Sequence, residues 1–217
     1  MDGRRKFRRE GEEKRRDQLI AAALEIIAEQ GPGTATVRAI AAQAGVTQGL
    51  IRHYFSTKED LTREAYRHFM TAMNADNSAV LENAQATPEA RLAAFVAASL
   101  RPPVMTASRL RLWSGFIYHV RSDPEMAAIH EITYLAYREQ LESLIAALPG
   151  TRDPHHLRRL AIACNGVVDG LWLEGSAYEQ GFSEDELPQI GVEAVGAILS
   201  INLLQHMPAA ISKDREK

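Results

Sequence analysis

Apolar residues along this chain recur every three or four positions, and no alternating run bounded by hairpin turns interrupts them, so the pattern predicts helices and no strands. Leu19, Ile20, Ala23, Leu24 and Ile27 form one such stripe, which ends at Gln30 before Gly31-Pro32-Gly33. Thr36 is a candidate N-cap for a short helix over 37–44, Gly45 a turn, and Thr47 the cap of another short helix reaching residue 55. Ser56-Thr57-Lys58-Glu59 has the Ser-x-x-Glu spacing of a reciprocal cap and opens a long fourth helix with Leu61, Ala65, Phe69 and Met73 as its apolar stripe. Thr87-Pro88, Asp123-Pro124 and Asp153-Pro154 each set a capping oxygen before a proline at the first helical position. A helix over 104–120 follows Pro102-Pro103, and a last one fills 187–206. The fold class read from this pattern is all-α.

Composition changes the picture little, and charge changes it at one end. The 217 residues are 46% hydrophobic and 24% charged, with a formal net charge of -3, which places the chain among ordinary globular proteins. Against that mild acidity, Arg4, Arg5, Lys6, Arg8, Arg9, Lys14, Arg15 and Arg16 crowd the N-terminus. Such a run is either a solvated tail or an arm that neutralises phosphates beside a DNA-binding module.

Residues 37–56 fit two helices crossing at a sharp turn, where only a small side chain is tolerated at the crossing point. Ala41 supplies it, and Gly45 sits where the chain must turn. Ile40, Ala44, Val46, Ile51 and Tyr54 fall on the inward positions. The outward face of the second short helix carries Thr47, Gln48, Gly49, Arg52 and His53, side chains suited to base edges and phosphates in a major groove.

The stretch Thr36-Val37-Arg38-Ala39-Ile40-Ala41 through Ala44-Gly45-Val46-Thr47-Gln48-Gly49-Leu50-Ile51-Arg52-His53-Tyr54-Phe55-Ser56-Thr57-Lys58-Glu59-Asp60-Leu61 resembles the DNA-binding domain of the TetR repressor family. The resemblance implies a three-helix helix-turn-helix domain, a homodimer on palindromic operator DNA, and a helical ligand-binding domain behind it. It assigns Thr36, Arg38, Thr47, Gln48, Gly49, Arg52, His53, Tyr54 and Lys58 to the DNA side. Gln48 and Arg52 are candidates for base reading, Gly49 for close backbone approach, and Thr36, Thr47, Tyr54 and Lys58 for phosphates. Arg52-His53-Tyr54 stands where many family members have a tyrosine pair or triplet, so the operator sequence does not transfer. Arg52 either forms a bidentate guanine contact or neutralises a phosphate.

Farther on, Asn165-Gly166-Val167-Val168-Asp169-Gly170-Leu171-Trp172-Leu173 is similar to the penultimate-helix motif of the choline-responsive BetI subgroup of that family, and Leu110-Arg111-Leu112-Trp113-Ser114-Gly115-Phe116 with Asp123-Pro124 is similar to its central region. A small-molecule effector is the expectation, choline or a related quaternary amine held by aromatic faces and a carboxylate. Trp113, Phe116, Ile117, Tyr134, Asn165, Asp169 and Trp172 are the candidate ligand residues, with Ile117 standing where that subgroup tends to be aromatic. Aromatic residues at helical spacing are equally the material of a core. Gly166 and Gly170, with Ala163, on one helix and Ala194, Ala197 and Ile201 on the last are candidates for a dimer interface. The expected organisation is a basic arm over 1–13, a helix-turn-helix domain over 14–60, a ligand-binding and dimerisation domain over 61–208 and a tail over 209–217.

Other classes find no support. There is no Gly-rich phosphate loop, no His-Glu-x-x-His and no Gly-x-Ser-x-Gly, so no enzyme and no cofactor is expected. His155 and His156 point about 100° apart on a helix and make an awkward metal pair. The single cysteine, Cys164, has no disulfide partner, and the longest apolar run is broken by Glu193, Gly196, Ser200 and Asn202, so a cytoplasmic protein without a membrane span is expected. A repressor, or an activator without a small-molecule ligand, both fit at this point.

Overall fold

The computed structural model describes residues 2–84, 87–150, 153–178 and 181–209, with side chains from residue 11 onward. The side chains of Arg4, Arg5, Lys6, Arg8 and Arg9 in the basic arm, and residues 210–217 of the tail, lie outside the described residues. The described elements are all helical: α1 Asp2–Gln30, α2 Val37–Gln43, α3 Gln48–Tyr54, α4 Lys58–Asn83, α5 Pro88–Ser99, α6 Ala107–Val120, α7 Pro124–Ala146, α8 Pro154–Ala177 and α9 Glu186–Leu199, then a 3₁₀ turn Leu204–His206. None of the helices among the described residues is long and apolar enough to cross a membrane.

The caps explain most of the boundaries. Thr36, Thr47 and Thr87 each accept a hydrogen bond from the backbone N–H three residues on, and Asp153 accepts two, from His155 and His156. Asp123 does the same for α7, accepting from the N–H groups of Glu125 and Met126 at 3.0 and 3.1 Å. Four boundaries differ from the sequence expectation. α1 starts at Asp2, so the backbone of the basic stretch is helical, in keeping with its Arg, Lys and Glu content. The cap of α4 lies one residue later than Ser56-x-x-Glu59: the Thr57 N–H donates to Asp60 Oδ2 and the Asp60 N–H to Thr57 Oγ1, both at 3.0 Å. α6 starts at Ala107 because Thr106 caps it, after Val104 and Met105 have been drawn into the interior. α9 stops at Leu199, where Ser200 turns left-handed at φ 57° and the Ile201 N–H reaches back 3.0 Å to the Gly196 carbonyl. A side chain on Gly196 would meet the Ile201 carbonyl oxygen at 2.8 Å, so glycine permits that ending.

The chain divides into two compact units. One comprises residues 1–72 and 111–133, the other 73–110 and 134–217, with the division falling inside α4, near Leu110 in α6, and inside α7. The first unit is cored by Leu19, Ile20, Ala23 and Ile27 of α1, Ile40 and Ala41 of α2, Ile51 and Phe55 around α3, and Leu61 of α4. Tyr66 and Phe69 of α4 flank the fully buried Phe116 of α6, with ring centroids 4.8 and 6.1 Å away.

The second unit is built on α5, α8 and α9, with the end of α7. Leu92, Phe95 and Val96 pack with Val192 and Val195, and Gly191 lies so close to the Leu100 and Leu171 side chains that a methyl group there would collide. Arg101 grips the Asp185 carboxylate with two hydrogen bonds of 2.6 Å, fixing the residue after α5 to the start of α9. Cys164 is buried and unoxidised, its thiol pushed up to about 12 by burial, so it is packing material rather than a nucleophile.

Candidate nucleic-acid interface and effector site

In the first unit, α2 and α3 meet at Gly45, whose φ of +65° is the left-handed conformation that glycine adopts without strain. The corner is closed by the Val46 N–H donating to the Ala41 carbonyl at 2.9 Å. α3 turns Ile51 inward, 2% exposed, and Phe55 follows it into the core. Ala44, Val46 and Tyr54, expected inside, are half-buried at the rim, because a seven-residue helix has room for few fully enclosed positions.

On the opposite face Thr47, Gln48, Gly49, Arg52 and His53 are exposed, as are Thr36 and Arg38 at the start of α2. Tyr54 packs edge-to-face with His53, centroids 5.2 Å apart, which leaves the phenol at the border of this surface. Lys58 sends its ammonium 3.2 Å to the Gly33 carbonyl, so it ties α4 to the turn between α1 and α2 at the edge of the same face.

Behind α3 the unit is stiffened by charge. Arg16 lies over the Phe55 ring at 5.4 Å and pairs with Glu64 at 3.1 Å. Arg63 donates to Asp123 at 2.8 Å and to Glu125 at 3.0 Å, and reaches Asp60 at 3.4 Å. Asp60 and Asp123 are themselves capping residues, so one guanidinium joins the caps of α4 and α7. Burial pulls the Asp123 carboxyl up, but the Arg63 hydrogen bond and the Met126 N–H outweigh it and hold it below the usual carboxylate range. Arg63 was no part of the sequence reading, since an arginine on a helix offers no sign of which acids face it.

The candidate ligand residues fall into both units. Trp113, Phe116 and Ile117 belong to the first, where Phe116 is enclosed by Tyr66 and Phe69 and the other two are half-buried. Tyr134, Asn165, Asp169 and Trp172 belong to the second, and three of them converge. The Tyr134 hydroxyl donates to Asp169 Oδ2 at 2.8 Å, and Asn165 Nδ2 donates to the same oxygen at 2.8 Å and to the Tyr134 hydroxyl. Burial pushes the Asp169 carboxyl up and the Tyr134 phenol up to about 12, the latter helped by the Asp169 charge. Trp172 is 5% exposed, its indole N–H donating to the Ser99 carbonyl at 2.9 Å.

That tryptophan leads to a group the sequence reading missed. The Ser99 hydroxyl lies 2.9 Å from the Tyr137 hydroxyl and 3.2 Å from Asn77 Oδ1, and Tyr137 stacks on Phe95 at 5.1 Å. Tyr137 follows Tyr134 by one helical turn and was legible as its neighbour on a face; a single serine and a single asparagine inside helices carry no periodic sign. Gly166, Gly170, Ala163 and Ala197 are exposed on α8 and α9, Ala194 is half-buried, and Ile201 lies beyond the end of α9.

Comparison with known proteins agrees with this arrangement. Residues 19–65 match the family of bacterial regulatory proteins of the tetR type, and residues 88–200 match the BetI-type transcriptional repressor C-terminal family. The HTH-type transcriptional regulator BetI of Burkholderia thailandensis is 30% identical over 163 residues, 75% of this chain and 82% of that protein. A transcriptional regulator of Pseudomonas aeruginosa PAO1, solved by crystallography, is 28% identical with a TM-score of 0.76, covering 89% of this chain and 94% of that one. A regulator of Saccharomonospora viridis crystallised in complex with choline shares the fold at 20% identity and a TM-score of 0.74, over 88% and 97% of the two chains.

Proposed function

The chain belongs to the TetR family of transcriptional regulators, with a BetI-type C-terminal region, and from that premise we propose that it is a cytoplasmic homodimeric repressor that leaves its palindromic operator when a small organic cation binds its second unit. The observation behind the DNA half is the split character of α3: Ile51 is buried, while Gln48, Gly49, Arg52 and His53 present an uninterrupted polar face to solvent. Gln48 and Arg52 read base edges, Gly49 admits the backbone, and Thr36, Arg38, Thr47, His53, Tyr54 and Lys58 hold phosphates and set register.

The effector half rests on the Tyr134–Asn165–Asp169 group, a partly buried carboxylate beside aromatic rings, the chemistry that suits a cation. Choline, bound by the Saccharomonospora regulator, is the first probe. Dimerisation is assigned to the exposed face of α8 and α9 around Gly166, Gly170 and Ala197. α4 contributes Lys58 to the DNA side and Asn77 to the interior of the second unit, so a ligand that prefers one placement of α4 changes the fit of two recognition helices to successive grooves.

The test is operator affinity of the full chain by fluorescence anisotropy. Replacing Gln48 and Arg52 together with alanine is expected to lower specific affinity at least about tenfold per half-site, with helicity and oligomeric state unchanged. Equal affinity of the variant and the parent would refute the assignment.

A further inference from the structure

Two amides in the second unit are more than nine-tenths buried and have a polar atom without a partner. Asn165 is 2% exposed; its Nδ2 is committed to Tyr134 and Asp169, which fixes the orientation of the amide and leaves the carbonyl oxygen Oδ1 with no donor. Asn77 is 1% exposed; its Oδ1 meets the Ser99 hydroxyl, and its Nδ2 has no acceptor. Buried polar groups in folded proteins are satisfied as a rule, so such a pair of exceptions marks a place where a partner belongs.

The two amides stand at the ends of one group. Asn165 joins Tyr134, and Asn77 joins Tyr137 through Ser99; the two tyrosines are one turn apart on α7, about 4.5 Å of helix rise. Burial raises the Tyr137 phenol, the Ser99 hydrogen bond pulls it back, and the Asp169 charge raises it further, so the two ends share one electrostatic neighbourhood.

We infer that the effector is a short amino alcohol whose ammonium keeps at least one N–H, donated to Asn165 Oδ1 beside the Asp169 carboxylate, while its hydroxyl accepts from Asn77 Nδ2. This rests on the reading of the Tyr134–Asn165–Asp169 group as the effector site, and it narrows that reading. A carboxylate and aromatic rings attract any small cation, but a quaternary nitrogen has no hydrogen to give and leaves Asn165 Oδ1 as it is. A primary, secondary or tertiary ammonium satisfies it. A hydroxyl, donor and acceptor at once, serves the Asn77 amide as an alkyl end does not.

The experiment titrates the full-length dimer with ethanolamine, N-methylethanolamine, N,N-dimethylethanolamine, choline and N,N-dimethylpropylamine, reading the unfolding midpoint and release from operator DNA. N,N-dimethylethanolamine is expected to bind about tenfold tighter than choline, from which it differs by one methyl for one hydrogen, and about tenfold tighter than N,N-dimethylpropylamine, which lacks the hydroxyl. Asn165→Leu should erase the first preference and Asn77→Leu the second, with folding checked by far-UV circular dichroism; the ligand series on the unaltered chain decides the matter if either variant fails to fold. Choline binding as tightly as its dimethyl analogue overturns this inference while leaving the effector site standing. No response to any of the five amines overturns both.

Discussion

At the scale of residues, the chemistry concentrates in a few side chains whose settings differ from their neighbours'. Asp169 is the sharpest case, a carboxyl that burial raises above its ordinary range even though Tyr134 and Asn165 donate to it. A raised carboxyl is held in its protonated form more tightly by the folded chain than by the unfolded one. Its contribution to stability is therefore fullest below the ordinary carboxylate pKa of about 3.9 and is lost as pH rises through the raised value. Asp169→Asn removes that dependence, so its melting temperature relative to the parent is expected to climb from about pH 4 to about pH 7 and then level off; a flat difference over that window would contradict the placement of the carboxylate. Tyr134, Asn165 and Asp169 were all legible as candidates, because a carboxylate, an amide and a phenol on otherwise apolar helix faces stand out. Trp113, Phe116 and Ile117 were singled out by the same reasoning, yet the fold sends them to the other unit, with Phe116 between Tyr66 and Phe69. Composition of a helix face does not say which face it will meet.

At the scale of elements, the ends of helices were readable wherever a proline or a capping oxygen marks them, and less so where tertiary contacts decide. Thr87-Pro88, Asp123-Pro124 and Asp153-Pro154 open helices where the pattern predicts. The end of α9 did not follow from periodicity, since the apolar repeat runs on past Leu199 and only the left-handed Ser200 and the bond from Ile201 to Gly196 stop it. The cap of α4 offers a clean trial of register, because two overlapping motifs compete for it. Thr57→Ala and Asp60→Ala are each expected to cost about 1 kcal/mol in urea unfolding, whereas Ser56→Ala and Glu59→Ala, both at exposed positions, should stay within about 0.5 kcal/mol. The reverse ranking would return the cap to Ser56 and Glu59. Asp60→Ala also removes one partner of Arg63, but the loss there is small, as the pair is 3.4 Å apart and near the surface.

At the scale of the whole molecule, the account requires two copies of the chain. The second unit leaves Ile162, Ala163, Gly166, Gly170 and Leu173 of α8 exposed together with Ala197 of α9, and Leu173 is 60% exposed, an apolar face out of keeping with a lone soluble helix pair. Glycines 166 and 170 have open space where a side chain would project, which suits close approach by another helix. Gly166→Glu combined with Ala197→Glu is expected to shift sedimentation from dimer to monomer, to leave helicity intact, and to weaken operator binding at least about tenfold through loss of the second half-site; a dimer that survives both charges would place the interface elsewhere. The central claim, that two outward faces of α3 read a two-fold site, is tested most directly by hydroxyl-radical footprinting of the chain on duplexes it has enriched from a random pool. The account predicts two protected segments related by a dyad, their centres about 34–36 Å or a multiple apart, both lost with the Gln48 and Arg52 alanine variant. One unsymmetrical protected patch, or a symmetrical pair untouched by those substitutions, would contradict it.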